Sequence, residues 1–133
     1  MPNHPAPGKL AAIFAGGVIG VLLRVSLSEA FPQPADAWPW PTLVANLAGA
    51  FLIGYFFTLL RDHDPDRPHH PFLATGICGT LTTFSTMQLE LLSMVDGGET
   101  VLAAGYVAVS IGVGYCLLRL GIAAAEARME APA

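Results

Sequence analysis

Four apolar runs separated by short polar punctuation make up nearly the whole chain. They cover residues 10–31, 41–60, 72–95 and 101–122. Each has about twenty residues or more, enough at 1.5 Å per residue to cross a hydrocarbon core about 30 Å thick. Between the runs lie a proline-rich loop carrying Trp38 and Trp40, a charged connector from Arg61 to Pro71, and a tight acidic turn from Asp96 to Thr100. The two tryptophans fit an interfacial aromatic belt. Residues 1–8, with three prolines and no periodicity, read as a short disordered tail, and residues 123–133 as a helical or frayed one. The pattern predicts a single all-α integral membrane domain of four transmembrane helices, without an internal repeat.

The third run departs from a plain span. Gly76-Ile-Cys-Gly-Thr-Leu-Thr-Thr-Phe-Ser-Thr-Met87 holds two glycines and five hydroxyl residues near its middle. Backbone freed from a helix at that depth is tolerated only where it is buried in protein or lines a cavity. Released carbonyls there can coordinate cations, while half-helix N-termini attract anions. The segment therefore reads as a helix broken near its middle that builds an ion site. Beyond it, Thr83, Thr86 and Glu90 fall on one helical stripe, with Phe84 and Met87 as a neighbouring i, i+3 pair. Hydroxyls that bond back to their own helix account for one or two of the five. They hardly account for a cluster beside two glycines.

Other polar residues interrupt the remaining spans. Arg24 lies about 5 Å past the middle of the first run by helical rise. It either faces a wet cavity or a partner, or snorkels to the interface. Asn46 is the one strongly polar side chain of the second span, and two roles stay open for it: interhelical glue or an amide donor to an anion. Tyr106 and Ser110 stand one turn apart in the fourth span, as structural hydrogen-bonding residues or as a polar edge. Gly16 and Gly20 form a GxxxG pair, and Ala104, Ala108 and Gly112 a second small-residue seam for close helix packing.

Composition narrows the class. Hydrophobic residues make up 53% of the 133 positions and charged residues 12%, about half the charge of a soluble domain. A net charge of −4 without a Lys/Arg cluster excludes a nucleic-acid footprint. Cys78 and Cys116 both sit inside apolar runs and read as packing residues, not a disulfide. The first apolar run is too long for a signal peptide and is followed by further spans, not a cleavage site. Three aspartates and three histidines in the connector invite a metal reading, but its prolines and alternating charges describe a solvated linker better. No nucleophile and base are placed together, so an enzyme is not expected. Four spans put both termini on one side. That side holds five of the six Lys and Arg residues, which predicts cytoplasmic termini.

Three pieces of the chain together resemble the fluoride channel family called Fluc or CrcB. They are Gly16-Gly17-Val18-Ile19-Gly20 with Arg24, Thr42-Leu43-Val44-Ala45-Asn46-Leu47-Ala48-Gly49, and Gly76 to Thr86. The third is the most specific. The resemblance implies an antiparallel, dual-topology homodimer in the bacterial inner membrane, with two fluoride pores that relieve fluoride toxicity by passive export. It also implies a structural Na⁺ on the two-fold axis, held by the backbone carbonyls of Gly79 and Thr82 from each subunit. By position, Asn46 matches the pore asparagine and Phe84 the first of two pore phenylalanines. Thr83, Thr86, Tyr106 and Ser110 match the polar track, and Arg24 and Glu90 match vestibule residues.

Two departures stand out. Met87 occupies the place of the second phenylalanine, which removes one ring edge from the pore wall. The charge bias of five against one is also strong for a chain inserted both ways, and it opens the alternative of one half of an oppositely oriented pair. A small four-span multidrug exporter is the rival from another class. It needs a carboxylate deep in the first span, where this chain has Arg24. A non-transporting assembly factor is a further rival, for which glycine seams and polar glue would suffice.

Overall fold

The computed structural model describes residues 7–34, 37–61 and 69–131. Residues 1–6, expected as a tail, lie outside the described residues. So does most of the connector (62–68), with its aspartates and Arg67, and with it the choice between linker and metal site.

Every regular element among the described residues is helical. Helix α1 spans Pro7–Ala30 and α2 spans Trp40–Leu60, with Pro41 in the first turn, where a missing N–H costs nothing. The third apolar run is divided. A π-helical stretch, Pro71–Cys78, passes into a single α-turn, Gly79–Leu81, and the two together form α3. Thr82 and Thr83 are extended, and α4 then spans Phe84–Asp96. A turn with Gly98 at φ 85° leads into α5, Thr100–Glu130. At 31 residues α5 measures about 46 Å, so the expected tail after residue 122 is regular helix almost to the end. Three helices, α1, α2 and α5, are each long and apolar enough to cross a membrane. The chain is a multi-pass, all-helical membrane protein.

Two glycine seams hold the helices together. The larger contact joins α2 and α5, where Gly54 faces the Leu118 carbonyl and Gly121 faces the Phe51 carbonyl and the Tyr55 amide. A Cβ at either glycine would strike backbone. The second seam joins α1 to α3 through Gly16 and Gly20. Without a hydrophobic drive between helices in lipid, such backbone approach supplies the packing energy. A small core of Leu43, Met94, Ala103 and Tyr106 fills the space between α2, α4 and α5, with Trp38 and Met87 against it.

Two expectations need correction. Ala104, Ala108 and Gly112 do not form a seam within this chain, since all three are exposed. Helix α5 instead turns Ala103, Tyr106, Gly121 and Ala125 inward, a stripe on a different side of the helix from the expected one. Cys78 is buried, but Cys116 is exposed, and both are free thiols. Trp38 is half-buried, unlike the exposed Trp40. It packs edge-on against Tyr106 with ring centroids 5.8 Å apart.

Candidate functional site

An interrupted helix releases backbone groups that must find partners. At Thr82 (φ −79°, ψ 148°) and Thr83 (φ −145°, ψ 116°) most of them do. The Thr83 amide donates to Asn46 Oδ1 at 2.8 Å, and Asn46 Nδ2 donates to the Thr83 carbonyl at 3.1 Å. The Asn46 side chain thus pairs with residue 83 as a neighbouring strand would. An amide NH2 carries two hydrogens, and this pairing uses one. On the α3 side, the Cys78 carbonyl accepts from the Thr82 amide at 3.3 Å and the Thr82 hydroxyl at 3.1 Å. The Thr80 carbonyl accepts from Arg24 Nε at 3.2 Å. Among the described residues, the carbonyls of Gly79 and Thr82 accept no hydrogen bond.

Thr83 also caps α4. Its hydroxyl accepts from the Thr86 amide at 3.2 Å and donates to Thr86 Oγ1 at 3.0 Å. The negative end of α3 and the positive end of α4 therefore meet across two residues. Of the five hydroxyls in the stretch, Thr80 and Thr82 bond back to carbonyls four residues earlier, which matches the expected one or two.

Two cavities adjoin this cap. One, of about 280 Å3, is lined by Asn46, Thr82, Thr83, Phe84 and Met87, with Ala50 and Ile53. Phe84 is 74% exposed, whereas Met87 is half-buried against the core. The other, of about 360 Å3, is lined by Ser28, Thr42, Thr86 and Glu90 together with the proline-rich loop. Thr83 borders the first cavity and Thr86 the second, so their hydroxyl pair links the two. Glu90 is not a free carboxylate. Thr42 donates to one oxygen, and the fully buried Tyr106 hydroxyl donates to the other at 3.0 Å.

The structure brings together Asn46, Thr82, Thr83, Phe84, Met87, Thr86, Glu90 and Tyr106 along this line. Ser110 stands one turn beyond Tyr106, and its buried hydroxyl has no partner among the described residues. Arg24 borders neither cavity and reaches the end of α3 instead. Sequence reasoning passed over two residues, Thr42 and Thr80. Thr42 lies four positions before Asn46, on the same face of α2, and that spacing was the available signal.

Comparison with known proteins decides the family. The family described as CrcB-like protein, Camphor Resistance (CrcB), matches residues 11–122. The chain belongs to the CrcB family. Its CrcB relatives include a protein named Fluoride-specific ion channel FluC 1 from Mycobacterium bovis. The two are 52% identical over 122 residues, covering 90% of this chain and 91% of the relative. A protein of the same name from Mycobacterium tuberculosis matches equally. One named Fluoride-specific ion channel FluC from Bordetella avium is 40% identical over 122 residues, covering 90% of this chain and 94% of the relative. The CrcB match takes in every residue of the site described above.

Proposed function

We propose that this chain is a fluoride-specific channel of the bacterial plasma membrane, exporting the ion passively and so relieving its toxicity. The observation that carries the reading is the Asn46–Thr83 pairing at the head of α4, beside Phe84 and Met87. It directs hydrogen-bond donors and a helix N-terminus toward one small cavity. Fluoride is a compact, strongly hydrated acceptor, so removing its water requires many donors in a narrow passage. The second amide hydrogen of Asn46, the Thr86 hydroxyl and the positive ring edge of Phe84 offer such contacts. Glu90, held by Thr42 and Tyr106, keeps its carboxylate engaged where a bare anion would repel fluoride. On this reading α3 and α4 cross the bilayer together as one broken span.

The channel works as a dimer of oppositely inserted copies with two pores. The unpaired carbonyls of Gly79 and Thr82 suit a hard cation such as Na⁺, because both are neutral oxygen donors at the negative end of α3. Gly79 is also exposed, and a Cβ there would meet nothing. Two oxygens from one chain are too few to enclose the ion, and a second copy would complete the set. When bound, the ion supplies a fixed positive field beside the anion path.

Fluoride-electrode recording of efflux from loaded proteoliposomes tests the function. Fluoride should leave, chloride should stay, and an imposed proton gradient should change nothing; chloride release or proton dependence overturns the reading. Functional dimers purified from this chain alone would dispose of pairing with a second, oppositely oriented chain.

A further inference from the structure

Gly16, Gly20 and Arg24 follow one another at i+4 along one face of α1, and α3 lies against them in the same order. Gly16 meets the Phe72 carbonyl and Gly76, and Gly20 meets the Ile77 carbonyl and Thr80. Arg24, one turn further on, donates from Nε to the Thr80 carbonyl at 3.2 Å. The Thr80 hydroxyl is shared between the carbonyls of Gly17 and Gly76, each at 2.9 Å. Residue 80 is therefore gripped by α1 through its side chain and its main chain together. The two glycines set how deeply α3 seats, and the arginine ends the contact.

That end is where α3 is weakest. Its last turn, Gly79–Leu81, is three residues long and lies between π-helical backbone and the extended Thr82. Such a turn has few bonds of its own to fix the direction of its carbonyls. Gly79 adds no side chain to anchor it. Arg24 supplies an external, charge-assisted bond to this turn.

We propose that Arg24 is a positioning residue for the cation site. Its bond to the Thr80 carbonyl fixes the Gly79–Leu81 turn and so holds the free Gly79 and Thr82 carbonyls in a ligating arrangement. The inference rests on the Na⁺ reading above and adds a residue that touches no ion.

Charge and position predict opposite signs, which makes the inference testable. As a nearby positive charge, Arg24 repels a cation, so removing it should tighten Na⁺ binding. As a positioning residue it favours the cation, so removing it should loosen Na⁺ binding. The measurement is thermal unfolding of the purified full-length protein, titrated with NaCl against N-methyl-D-glucamine chloride at constant ionic strength. The Na⁺ midpoint should rise about tenfold in Arg24→Gln, the scale of one lost bond to a charged group. It should also rise in Arg24→Lys, which keeps the charge and loses the planar fork. Arg119→Gln, at an exposed arginine that bonds only Tyr115 among the described residues, should keep the wild-type midpoint. An unchanged or lower midpoint in the Arg24 variants overturns the positioning role. If Arg24→Gln does not fold, Arg24→Lys carries the same decision. A wild-type protein that responds identically to both salts overturns the Na⁺ reading and the positioning role with it. Fluoride efflux from the same preparation then shows whether the channel reading stands without the ion.

Discussion

Asn46 and Thr83, 37 residues apart in the chain, exchange two hydrogen bonds across the interruption between α3 and α4. One side-chain amide thereby does for a pair of freed backbone groups what a helix would have done. It also fixes where α4 begins, since Thr83 is both its partner and the cap of that helix. Structural glue and an anion-facing donor, the two roles left open by the sequence, need not exclude each other here. The amide has one hydrogen for each.

Removing that amide should cost both stability and transport. Asn46→Ala leaves the Thr83 amide and carbonyl unpaired at membrane depth, a loss of about 2 kcal/mol. Asn46→Asp still accepts from the Thr83 amide but cannot donate to its carbonyl, and it adds a negative charge. Thermal unfolding should place Asn46→Asp at or above Asn46→Ala in stability. Liposome efflux should rank them the other way, with Asn46→Asp the slower in fluoride release.

The Thr42–Glu90–Tyr106 cluster should behave as a unit. Tyr106→Phe keeps the buried ring and strips one donor from the Glu90 carboxylate, at a cost of about 1–3 kcal/mol. Glu90→Gln leaves only one oxygen to accept from two hydroxyls. Because both changes act on the Tyr106–Glu90 bond, the double variant should lose less than the sum of the singles. A thermal-unfolding double-mutant cycle measures this, and strict additivity would mean that the Tyr106–Glu90 bond contributes nothing.

The parts of this fold that could be read in one dimension are those set by local composition. The ends of α1, α2 and α4 follow the apolar runs to within a few residues. The interruption falls inside the stretch whose glycines and hydroxyls are poor helix material. What could not be read depends on rotation and on distant partners. The inward face of α5 is set by contact with α2 around Gly54, 67 residues before Gly121, so the equally spaced Ala104, Ala108 and Gly112 point away from the core of this chain. Thr80 and Arg24 meet only because α1 and α3 seat on glycines. No single-sequence spacing links residue 24 to residue 80. The π-helical start of α3 had no signal in its apolar run Phe72-Leu-Ala-Thr75.

The α2–α5 seam should tolerate no added carbon. A methyl at Gly121 would strike the Phe51 carbonyl and lie 3.0 Å from the Tyr55 amide nitrogen, both main-chain atoms that cannot swing aside. Gly121→Ala should therefore destabilise by about 1–3 kcal/mol, the range of overpacking. Gly112→Ala, on the exposed face of the same helix with nothing near its added Cβ, should be close to neutral. Thermal unfolding of the two variants side by side checks the contrast, and equal losses would mean that the seam does not close as described.

Met87 sets the last test, because it has two neighbours with different demands. On one side it lines the cavity with Asn46 and Phe84; on the other it packs against the core of Leu43, Met94, Ala103 and Tyr106. A thioether fits both, being flexible and polarizable, but it offers an anion no positive ring edge. Met87→Phe supplies that edge and adds a rigid ring to the core side. The ring should raise fluoride efflux several-fold, with chloride still excluded. The same ring crowds the core, so stability should fall by about 1–2 kcal/mol. Met87→Leu, similar in volume and without a ring, should leave both quantities near their starting values. If efflux is the same for methionine, leucine and phenylalanine, residue 87 belongs to the packing of α4 on α5 and takes no part in the anion path.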